Sequence, residues 1–521
     1  MEARCVRLTD LPQTSRLLGD FVYHYDRLSS IFGAERDFLQ AASRIHYPDD
    51  HRAALVTALG ELNPNHLALD LLARPGTVTV TTGQQVGLYS GPAYTVYKAL
   101  TAARLARELN DKGSPAVAVF WLATEDHDFA EVNHCWAFDG AHRPARLEAQ
   151  AAGGTGGPVG RIVVGQGPIE ELRAVLGPHA FGEGVLGAVE GAYRPGQTLG
   201  RGFAELLKRL LAPYGLLFLD PLAPAVRELA APILRRALEQ APELNHRLLE
   251  RNAALEAAGY HAQVRVEPQS SLLFLFENGR RLPLARLDGD YMAGGKRYSP
   301  EELAARAPDL SPNALLRPVM QDSILPTAAY VGGPAEIAYL AQAQVLYEAL
   351  LGRMPVVVAR AGFTLLDARS DKLLRRYGLT LGDFFHGEEA LRERIAARLV
   401  PESLGRVLEE STAKASRELD ALSAEMARFD RTLVEALERS RRKVLYQFSK
   451  LERKAAREAL RRNERAAQEA ASLYGLICPG KHLQERLYSI LPFLAKHGPD
   501  LLEKIYASIR LDCPDHQLLV V

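Results

Sequence analysis

Hydrophobic positions in the first quarter of the chain follow the order strand, helix, strand. Residues 77–82 form a short run of β-branched residues, which is typical of a buried strand. Apolar residues at 94–109 recur at helical spacing, Gly113 ends that helix, and residues 116–123 form a second apolar strand. The pattern predicts a parallel, right-handed strand–helix–strand unit whose two loops lie at one edge of a sheet.

Glycine and polar residues follow both predicted strands. The first loop and the helix after it hold Gly83, Gln84, Gln85, Gly87, Ser90, Gly91, Tyr94 and Lys98. Ser90 or Gly91 is expected to cap the helix, and a helix start at a strand's carboxyl end is a ready anion site. The spacing matches neither a GxGxxG fingerprint nor a Walker loop, so a simple tight turn is an equally open interpretation.

A second glycine corner is predicted at residues 316–342. Arg317-Pro318 predicts an extended approach, and residues 328–331 and 354–360 read as strands. A glycine turn and a helix over 336–351 lie between them. The polar or glycine residues of the corner are Gln321, Asp322, Gly332, Gly333 and Glu336. A βα corner without a ligand, in which Glu336 only complements the helix dipole, is the alternative.

Other segments surround this core. Residues 1–76 read as helical, about 139–200 as an insertion that is rich in glycine over 139–167, and 215–220 as another buried strand. Strands at 261–266, 271–276 and 280–284, with the Asn278-Gly279 turn, predict a small antiparallel insertion within about 260–312. Residues 224–257 read as one helix.

A heptad seam marks residues 403–474. Its apolar members, four and three residues apart, are Ala415, Leu419, Leu422, Met426, Phe429 and Leu433. A hairpin of two helices that turns near 429–432 is predicted. Its exposed stripe favours a homodimer. Residues 439–465 hold 11 Lys or Arg against 3 Glu, for which a solvated or partner-facing surface is favoured over nucleic acid.

The predicted organisation is α/β. Residues 1–385 form a parallel-sheet core with insertions, 386–475 an α-helical arm, and 476–521 a return to the core through helices at 485–494 and 499–509 and a strand at 517–521.

Composition narrows the class of protein. In the 521 residues, 63 Lys and Arg balance 63 Asp and Glu, so overall charge gives no case for nucleic acid or a membrane surface. The 4 cysteines lack metal-site spacing. No apolar run reaches the roughly 18–20 residues of a membrane span. A soluble, cytoplasmic protein is expected.

The second loop concentrates ionisable groups, with Glu125, Asp126, His127 and Asp128 in succession and His134 shortly after. Such a cluster suits proton transfer and ammonium binding. A structural role in which the carboxylates accept loop N–H groups is equally open. A metal site is disfavoured because no spaced ligand set is evident.

Four segments resemble the bacillithiol biosynthesis cysteine-adding enzymes, a family of cysteine ligases. They are TGQQVGLYSGPAYTVYKAL at 82–100, FWLATEDHDFAEVNH at 120–134, LRPVMQDSILPTAAYVGGPAEIAYLAQ at 316–342 and GKHLQERLYSILPFLAKHGPDLLEKI at 480–505. The resemblance implies a Rossmann-like core similar to nucleotidylyltransferases and class I synthetases, with connecting insertions and a coiled-coil arm.

The resemblance also implies a reaction. L-Cysteine is joined to the amine of glucosaminyl-malate, the last step of bacillithiol biosynthesis, with ATP as co-substrate, Mg²⁺ as its possible companion and no permanently bound cofactor. The loop at 83–91 is then assigned to anionic ligands, His127 and its carboxylates to proton transfer, and Arg317 to a substrate carboxylate. Lys98 is equally a solvated helix lysine. The alternative function is a class I synthetase-like RNA-binding or nucleotidyl-transfer protein.

Overall fold

The computed structural model describes residues 4–33 and 36–521. Its strands, in chain order, are β1 (Arg4–Val6), β2 (Val78–Gln85), β3 (Ala116–Ala123), β4 (His134–Phe138), β5 (Pro144–Glu148), β6 (Leu217–Leu219), β7 (Ser270–Glu277), β8 (Arg280–Leu287), β9 (Asp290–Ala293), β10 (Lys296–Tyr298), β11 (Leu310–Pro312), β12 (Thr327–Gly332), β13 (Val356–Ala359), β14 (Phe363–Leu366) and β15 (His516–Val520).

The α-helices are numbered in the same way. They are α1 (Arg16–Tyr23), α2 (Ser29–Phe32), α3 (Phe38–Ser43), α4 (Asp49–Leu62), α5 (Leu67–Leu72), α6 (Tyr94–Asp111), α7 (Phe129–Val132), α8 (Ile169–Leu176), α9 (Gly182–Ala192), α10 (Leu199–Leu211), α11 (Pro224–Glu239), α12 (Ala241–Ala257), α13 (Pro300–Ala305), α14 (Arg317–Ile324), α15 (Pro334–Leu350), α16 (Ala368–Tyr377), α17 (Glu388–Arg398), α18 (Glu402–Phe429), α19 (Thr432–Arg461), α20 (Glu464–Ile477), α21 (Gln484–Leu487), α22 (Leu491–His497) and α23 (Asp500–Ser508).

A parallel sheet in the order β13-β12-β2-β3-β6 forms the centre of the fold. β2 and β3 pair along their whole length, from Val78 opposite Ala116 to Gln85 opposite Ala123. The predicted α/β class and the parallel arrangement of these two strands are confirmed. The loops that follow them consequently leave from the same edge.

Both faces of this sheet are covered. On β3, Ala118 and Phe120 pack into one hydrophobic cluster, whereas Val117, Val119 and Trp121 pack into a second. Side chains alternate across a strand, so a continuous apolar run is what a strand buried on both faces requires. This accounts for the uninterrupted apolar pattern of residues 116–123.

The predicted antiparallel insertion is present as a sheet in the order β10-β9-β8-β7-β11. β7 and β8 pair across the Asn278-Gly279 turn, as the turn sequence indicates. The strand expected at 261–266 is wrong, because those residues have no regular structure. The single helix expected at 224–257 is instead α11 and α12, which are divided at Gln240.

Sequence reasoning also failed at Arg317-Pro318. These residues begin α14 rather than an extended segment. Proline in a helix's first turn loses no intrahelical hydrogen bond, because the first N–H groups have no partner within the helix. The proline therefore marks a helix start here.

The last part of the chain returns to the core, as expected. β15 pairs in parallel with β14 and antiparallel with β1, and these strands form a separate small sheet. The helix predicted at 485–494 is divided into α21 and α22, with Tyr488 and Ser489 between them. α21 contacts β14 and brings the C-terminal segment close to the central sheet.

The predicted helical hairpin is confirmed in α18 and α19. The carboxylate of Asp430 accepts hydrogen bonds from the backbone N–H and the hydroxyl of Thr432, both at 2.8 Å, and so holds the turn. α17 packs against α19 and α20 at the base of the arm. Several large apolar side chains of the hairpin remain exposed, most of all Phe429 near the turn.

Candidate active site at the carboxyl edge of the sheet

A cavity of about 430 Å³ opens at the carboxyl edge of the central sheet. Residues from β2, β3, α6, α14 and α15 line it, together with residues from the antiparallel insertion and the C-terminal segment. The lining residues are Gly83, Gln84, Gln85, Tyr94, Lys98, Trp121, Ala123, Glu125, Asp126, Phe274, Arg281, Pro312, Asn313, Ala314, Arg317, Gly333, Pro334, Ala335, Glu336, Tyr339, Arg360 and Arg486.

The two loops predicted to converge do so at this cavity. The amide of Gln85 donates a hydrogen bond to Asp126 at 2.7 Å, which joins the end of β2 to the loop after β3. Gly333 and Glu336 of the second glycine corner line the same space. Parallel strand pairing thus brings together residues that are widely separated along the chain.

A buried ion pair joins the first and second corners. The ammonium of Lys98 lies 2.5 Å from a carboxylate oxygen of Glu336, and the Lys98 side chain is 1 % exposed. Glu336 also accepts hydrogen bonds at 2.7 Å from the backbone N–H of Gly333 and from the hydroxyl of Tyr330. Lys98 is therefore not the solvated helix lysine that the sequence left open.

Burial lowers the pKa of Lys98, although Glu336 opposes the shift. Burial also acts to raise the pKa of Glu336, but the Lys98 ammonium and the hydrogen bonds from Gly333 and Tyr330 together outweigh it, and the net pKa is lowered. The carboxylate is thus held ionised. The ammonium is held by the carboxylate and by the carbonyl of Gly83.

Arg317 lies at the cavity wall, as its assignment to a substrate requires. Its guanidinium donates to the hydroxyl of Tyr339 at 2.5 Å and to the side chain of Gln321 at 3.2 Å. Neighbouring side chains therefore already engage both terminal nitrogens. The N–H groups that make these bonds hold the guanidinium in place and are not free to bind a ligand.

Arg360, which the sequence did not single out, is another cationic wall residue. Its terminal nitrogens donate to the two carboxylate oxygens of Glu485, at 3.0 and 2.6 Å. Its guanidinium carbon lies 5.3 Å from the centre of the Tyr94 ring. No pattern in sequence links residues 360 and 485, because they come from β13's end and from α21.

Glu125 forms a structural ion pair. Its carboxylate lies 2.5 Å from the guanidinium of Arg227 on α11, and both side chains are buried. Burial raises the pKa of Glu125, although Arg227 and Arg281 oppose it. Glu125 lines the cavity, but its carboxylate is bound by Arg227, a partner that sequence reasoning missed.

His127 lies at the rim outside the cavity lining, and its side chain is 51 % exposed. Its imidazole Nδ1 lies 3.7 Å from Asp126 and 3.4 Å from the guanidinium of Arg281. Asp126 also accepts the backbone N–H of His127 at 2.7 Å. Asp126 and Arg281 therefore flank the ring.

Asp128 and His134 lie apart from the cavity lining. Asp128 caps α7 by accepting the backbone N–H of Glu131 at 3.2 Å. His134 begins β4, and burial lowers its pKa. The loop after β3 therefore places Asp126 in the cavity lining, His127 at the rim and Asp128 at the start of α7.

The glycine corner after β2 turns away from the cavity beyond Gln85. A Cβ at Gly87 would lie 3.0 Å from the Cα of Gly91, so these glycines let two stretches of backbone touch. Ser90 lies 3.1 Å from the hydroxyl of Ser489 instead of capping α6, whose N-cap is Ala93. The expected cap is wrong because the C-terminal segment binds this corner.

The remaining predicted residues support the wall from behind. Gln321 donates to the hydroxyl of Thr81 at 3.2 Å, and Asp322 accepts from Gln321 at 3.1 Å and from Tyr347. Gly332 lines an adjoining cavity of about 270 Å³. The two cavities share Pro334, Ala335, Arg360 and Arg486.

The cavity wall carries more positive than negative side chains. Cationic residues are Lys98, Arg281, Arg317, Arg360 and Arg486; carboxylates are Glu125, Asp126 and Glu336. Lys98 and Arg360 are each paired with a carboxylate, whereas Arg486 is exposed and lies 6.0 Å from the Tyr94 ring centre. The surplus suits anionic ligands.

Across residues 4–33 and 36–521, no group of three or more His, Cys, Asp or Glu side chains is placed to hold a metal ion. Over the same residues, no helix combines the length and apolar character needed to span a membrane.

Comparison with known proteins matches the whole chain to one family. Residues 1–361 match the model of the bacillithiol biosynthesis BshC N-terminal Rossmann-like domain, and residues 363–521 match the BshC C-terminal coiled-coil domain. A protein named "Putative cysteine ligase BshC" from Solibacter usitatus (strain Ellin6076) is 55% identical over 525 residues, with 100% of each chain covered.

Two further relatives bear the same printed name. The protein from Koribacter versatilis (strain Ellin345) is 38% identical, with 99% of each chain covered. The protein from Salinibacter ruber (strain DSM 13855 / M31) is 32% identical over 89% of this chain and 86% of its own. The chain belongs to the BshC family of bacillithiol biosynthesis.

Proposed function

We propose that the chain is a ligase that forms an amide between the carboxyl group of L-cysteine and the amine of glucosaminyl-malate, with ATP as co-substrate. The observation that carries the proposal is the cationic cavity at the carboxyl edge of a Rossmann-like sheet. Ligands of such sheets bind at this edge. Malate, cysteine and ATP all bring negative charge to it.

The reaction sets two requirements for the site. A free carboxylate needs an activated acyl group before an amine attacks it, and ATP supplies that activation when bound. The amine must also lose a proton, since an ammonium has no lone pair. The binding of carboxylate and phosphate groups falls to the cationic residues, of which Arg317 and Arg360 present planar guanidinium groups.

Asp126 and His127 are assigned to the amine. Asp126 lines the cavity, and its carboxylate lies 3.7 Å from the His127 imidazole, so a proton accepted at the cavity has a path to an exposed ring. An imidazole is a common general base in enzymatic proton transfer. Asp126 would orient the ammonium before its proton leaves.

Product analysis by mass tests the assignment. Purified protein is incubated with L-cysteine, glucosaminyl-malate and ATP, and three matched reactions each omit one of them. We expect the bacillithiol mass only in the complete mixture. Identifying the nucleotide product as ADP or AMP then shows which phosphate bond of ATP is broken. Folded protein that yields no such mass in the complete mixture would contradict the proposal.

A further inference from the structure

The guanidinium of Arg360 keeps two donors unused by the described protein. An arginine has five N–H groups. One Nη donates to the carbonyl of Ala361 at 2.9 Å and to Glu485 at 3.0 Å, and the other donates to Glu485 at 2.6 Å. Among residues 4–33 and 36–521 no acceptor is found for the Nε–H or for the second N–H of that other nitrogen. These two donors lie parallel along one edge of the group.

Gly333 leaves room beside that edge. A Cβ at Gly333 would lie 3.6 Å from the Nε of Arg360 and 3.3 Å from a carboxylate oxygen of Glu336. The backbone of Gly333 has a φ of −84°, which any residue adopts, so its glycine is not required by conformation. The missing side chain instead opens the cavity next to the two unused donors.

We propose that this edge of Arg360 binds two oxygens of a substrate oxyanion, a carboxylate or a phosphate, through two parallel hydrogen bonds. A guanidinium edge matches such an anion in geometry and charge. The identity of the substrate that carries the anion rests on the proposed function. The pair of unused donors on Arg360, called the fork below, does not depend on it.

Glu485 is the positioning residue for this fork. Its side chain is 4 % exposed, and one of its oxygens also accepts the backbone N–H of Phe363 at 3.0 Å. The carboxylate is thereby held in place and accepts hydrogen bonds from both Nη atoms of Arg360. The Tyr94 ring lies beside the guanidinium. Glu485, in the part of the chain that matches the coiled-coil domain, therefore orients Arg360, in the part that matches the Rossmann-like domain.

Binding of two simple oxyanions tests the fork without reference to turnover. L-Malate supplies carboxylates and inorganic pyrophosphate supplies phosphates, and each is titrated calorimetrically into the full chain. The variants are Arg360→Lys, which loses the paired donors, Gly333→Ala, which fills the space beside them, and Glu485→Gln. Glu469→Gln is the matched control, because Glu469 is a buried carboxylate that binds Arg465 at 2.9 Å outside the cavity.

We expect wild-type protein to bind at least one anion, and the class that binds identifies the anion as carboxylate or phosphate. Arg360→Lys and Gly333→Ala should weaken that binding about tenfold or more, and Glu485→Gln by a smaller factor. Glu469→Gln should leave it unchanged. Melting temperatures on the same preparations separate a misfolded variant from a weakened site.

Two results would overturn the fork: wild-type protein that binds neither anion, or Arg360→Lys and Gly333→Ala variants with wild-type affinity. In turnover assays, Glu485→Gln should raise KM for one substrate while kcat per folded molecule is kept, since the lost interaction serves binding. Arg360-dependent anion binding without any bacillithiol product would instead refute the proposed function and leave the fork standing.

Discussion

Lys98 shows how far one residue can depart from its usual environment. A lysine on a helix is normally solvated, yet this one reaches from α6 into the sheet edge and meets Glu336 with almost no exposure. Removing either charge alone would leave the other without its opposite charge, which is the costly case.

Lys98→Met should therefore destabilise the fold by about 3 kcal/mol, because Glu336 becomes a buried charge without its ammonium. The double variant Lys98→Met/Glu336→Gln should recover part of that loss, since no uncompensated charge remains. Urea unfolding of both variants measures the difference. A double variant no more stable than Lys98→Met would show that the ion pair is not the source of the effect.

His127 gives a second residue-scale prediction. Because half of the ring is exposed, His127→Asn should change stability by no more than about 0.5 kcal/mol. If the imidazole accepts the amine's proton, turnover should fall by about 10²–10⁴. Product formation and melting temperature are measured on one preparation.

The matched control is His246→Asn, another exposed histidine, paired with Glu250 on α12. It should leave turnover unchanged. A stable and fully active His127→Asn protein would remove this residue from the chemistry.

The site was only partly predictable from sequence at the scale of residues. Gln85, Asp126 and Gly333 were found because they follow strands, and parallel strands end at one edge. The pairing of Arg360 with Glu485, and of Glu125 with Arg227, was not found. Such partners come from distant elements, and no local pattern records which charges meet on folding.

At the scale of elements, the periodicity of apolar residues predicted the arm hairpin and the central strands correctly. The heptad seam gave the α18–α19 hairpin and its turn, and continuous apolar runs gave the central strands. Prolines were less reliable guides. Pro318 begins a helix where an extended segment was expected, because a helix's first turn tolerates proline.

The arm hairpin leaves apolar side chains exposed along its length, including Leu422 at 44% and Leu451 at 52%. We expect a second copy of the chain to cover them, since coiled-coil stripes pair. Sedimentation at tens of micromolar should show a dimer for the wild type and a monomer for Leu422→Glu/Leu451→Glu.

Leu287→Glu supplies the comparison, because Leu287 is similarly exposed on β8, outside the arm. That variant should remain dimeric. A monomeric wild-type protein would refute self-association through the arm.

At the scale of the whole molecule, a buried histidine joins the C-terminal helices to the core. His142 Nδ1 lies 2.9 Å from the Ser472 hydroxyl, and its Nε2 lies 3.0 Å from the Lys496 ammonium. Asp367 pairs with Lys496, and its carboxylate lies 3.8 Å from the same Nε2 of His142. Burial, and then Lys496, lower the pKa of His142 from 6.5 to about 4.

Acid should consequently loosen this junction. Between pH 6.5 and about 4 the unfolded chain binds a proton at His142 that the folded chain does not, so stability falls as pH is lowered through that interval. The full loss is roughly 3 kcal/mol at about 1.4 kcal/mol per pKa unit. Stability above pH 6.5 is unaffected by this group.

Urea unfolding at pH 7 and pH 5 measures the effect, and His142→Asn should show a smaller difference between the two. Burial also lowers the pKa of His497 to about 4, so this neighbour keeps part of the pH dependence in the variant. An identical pH dependence in wild type and His142→Asn would exclude His142 as its source.

The return of the C-terminal segment has a consequence for biosynthesis on the ribosome. β1 pairs with β15, as in Arg4 opposite Leu518, and Arg360 acquires its carboxylate partner only from Glu485. A growing chain therefore exposes an unpaired strand and an unneutralised arginine until its last segment emerges. Contacts of such long separation form slowly, so the nascent chain should reach a binding-competent cavity only after translation has passed α21.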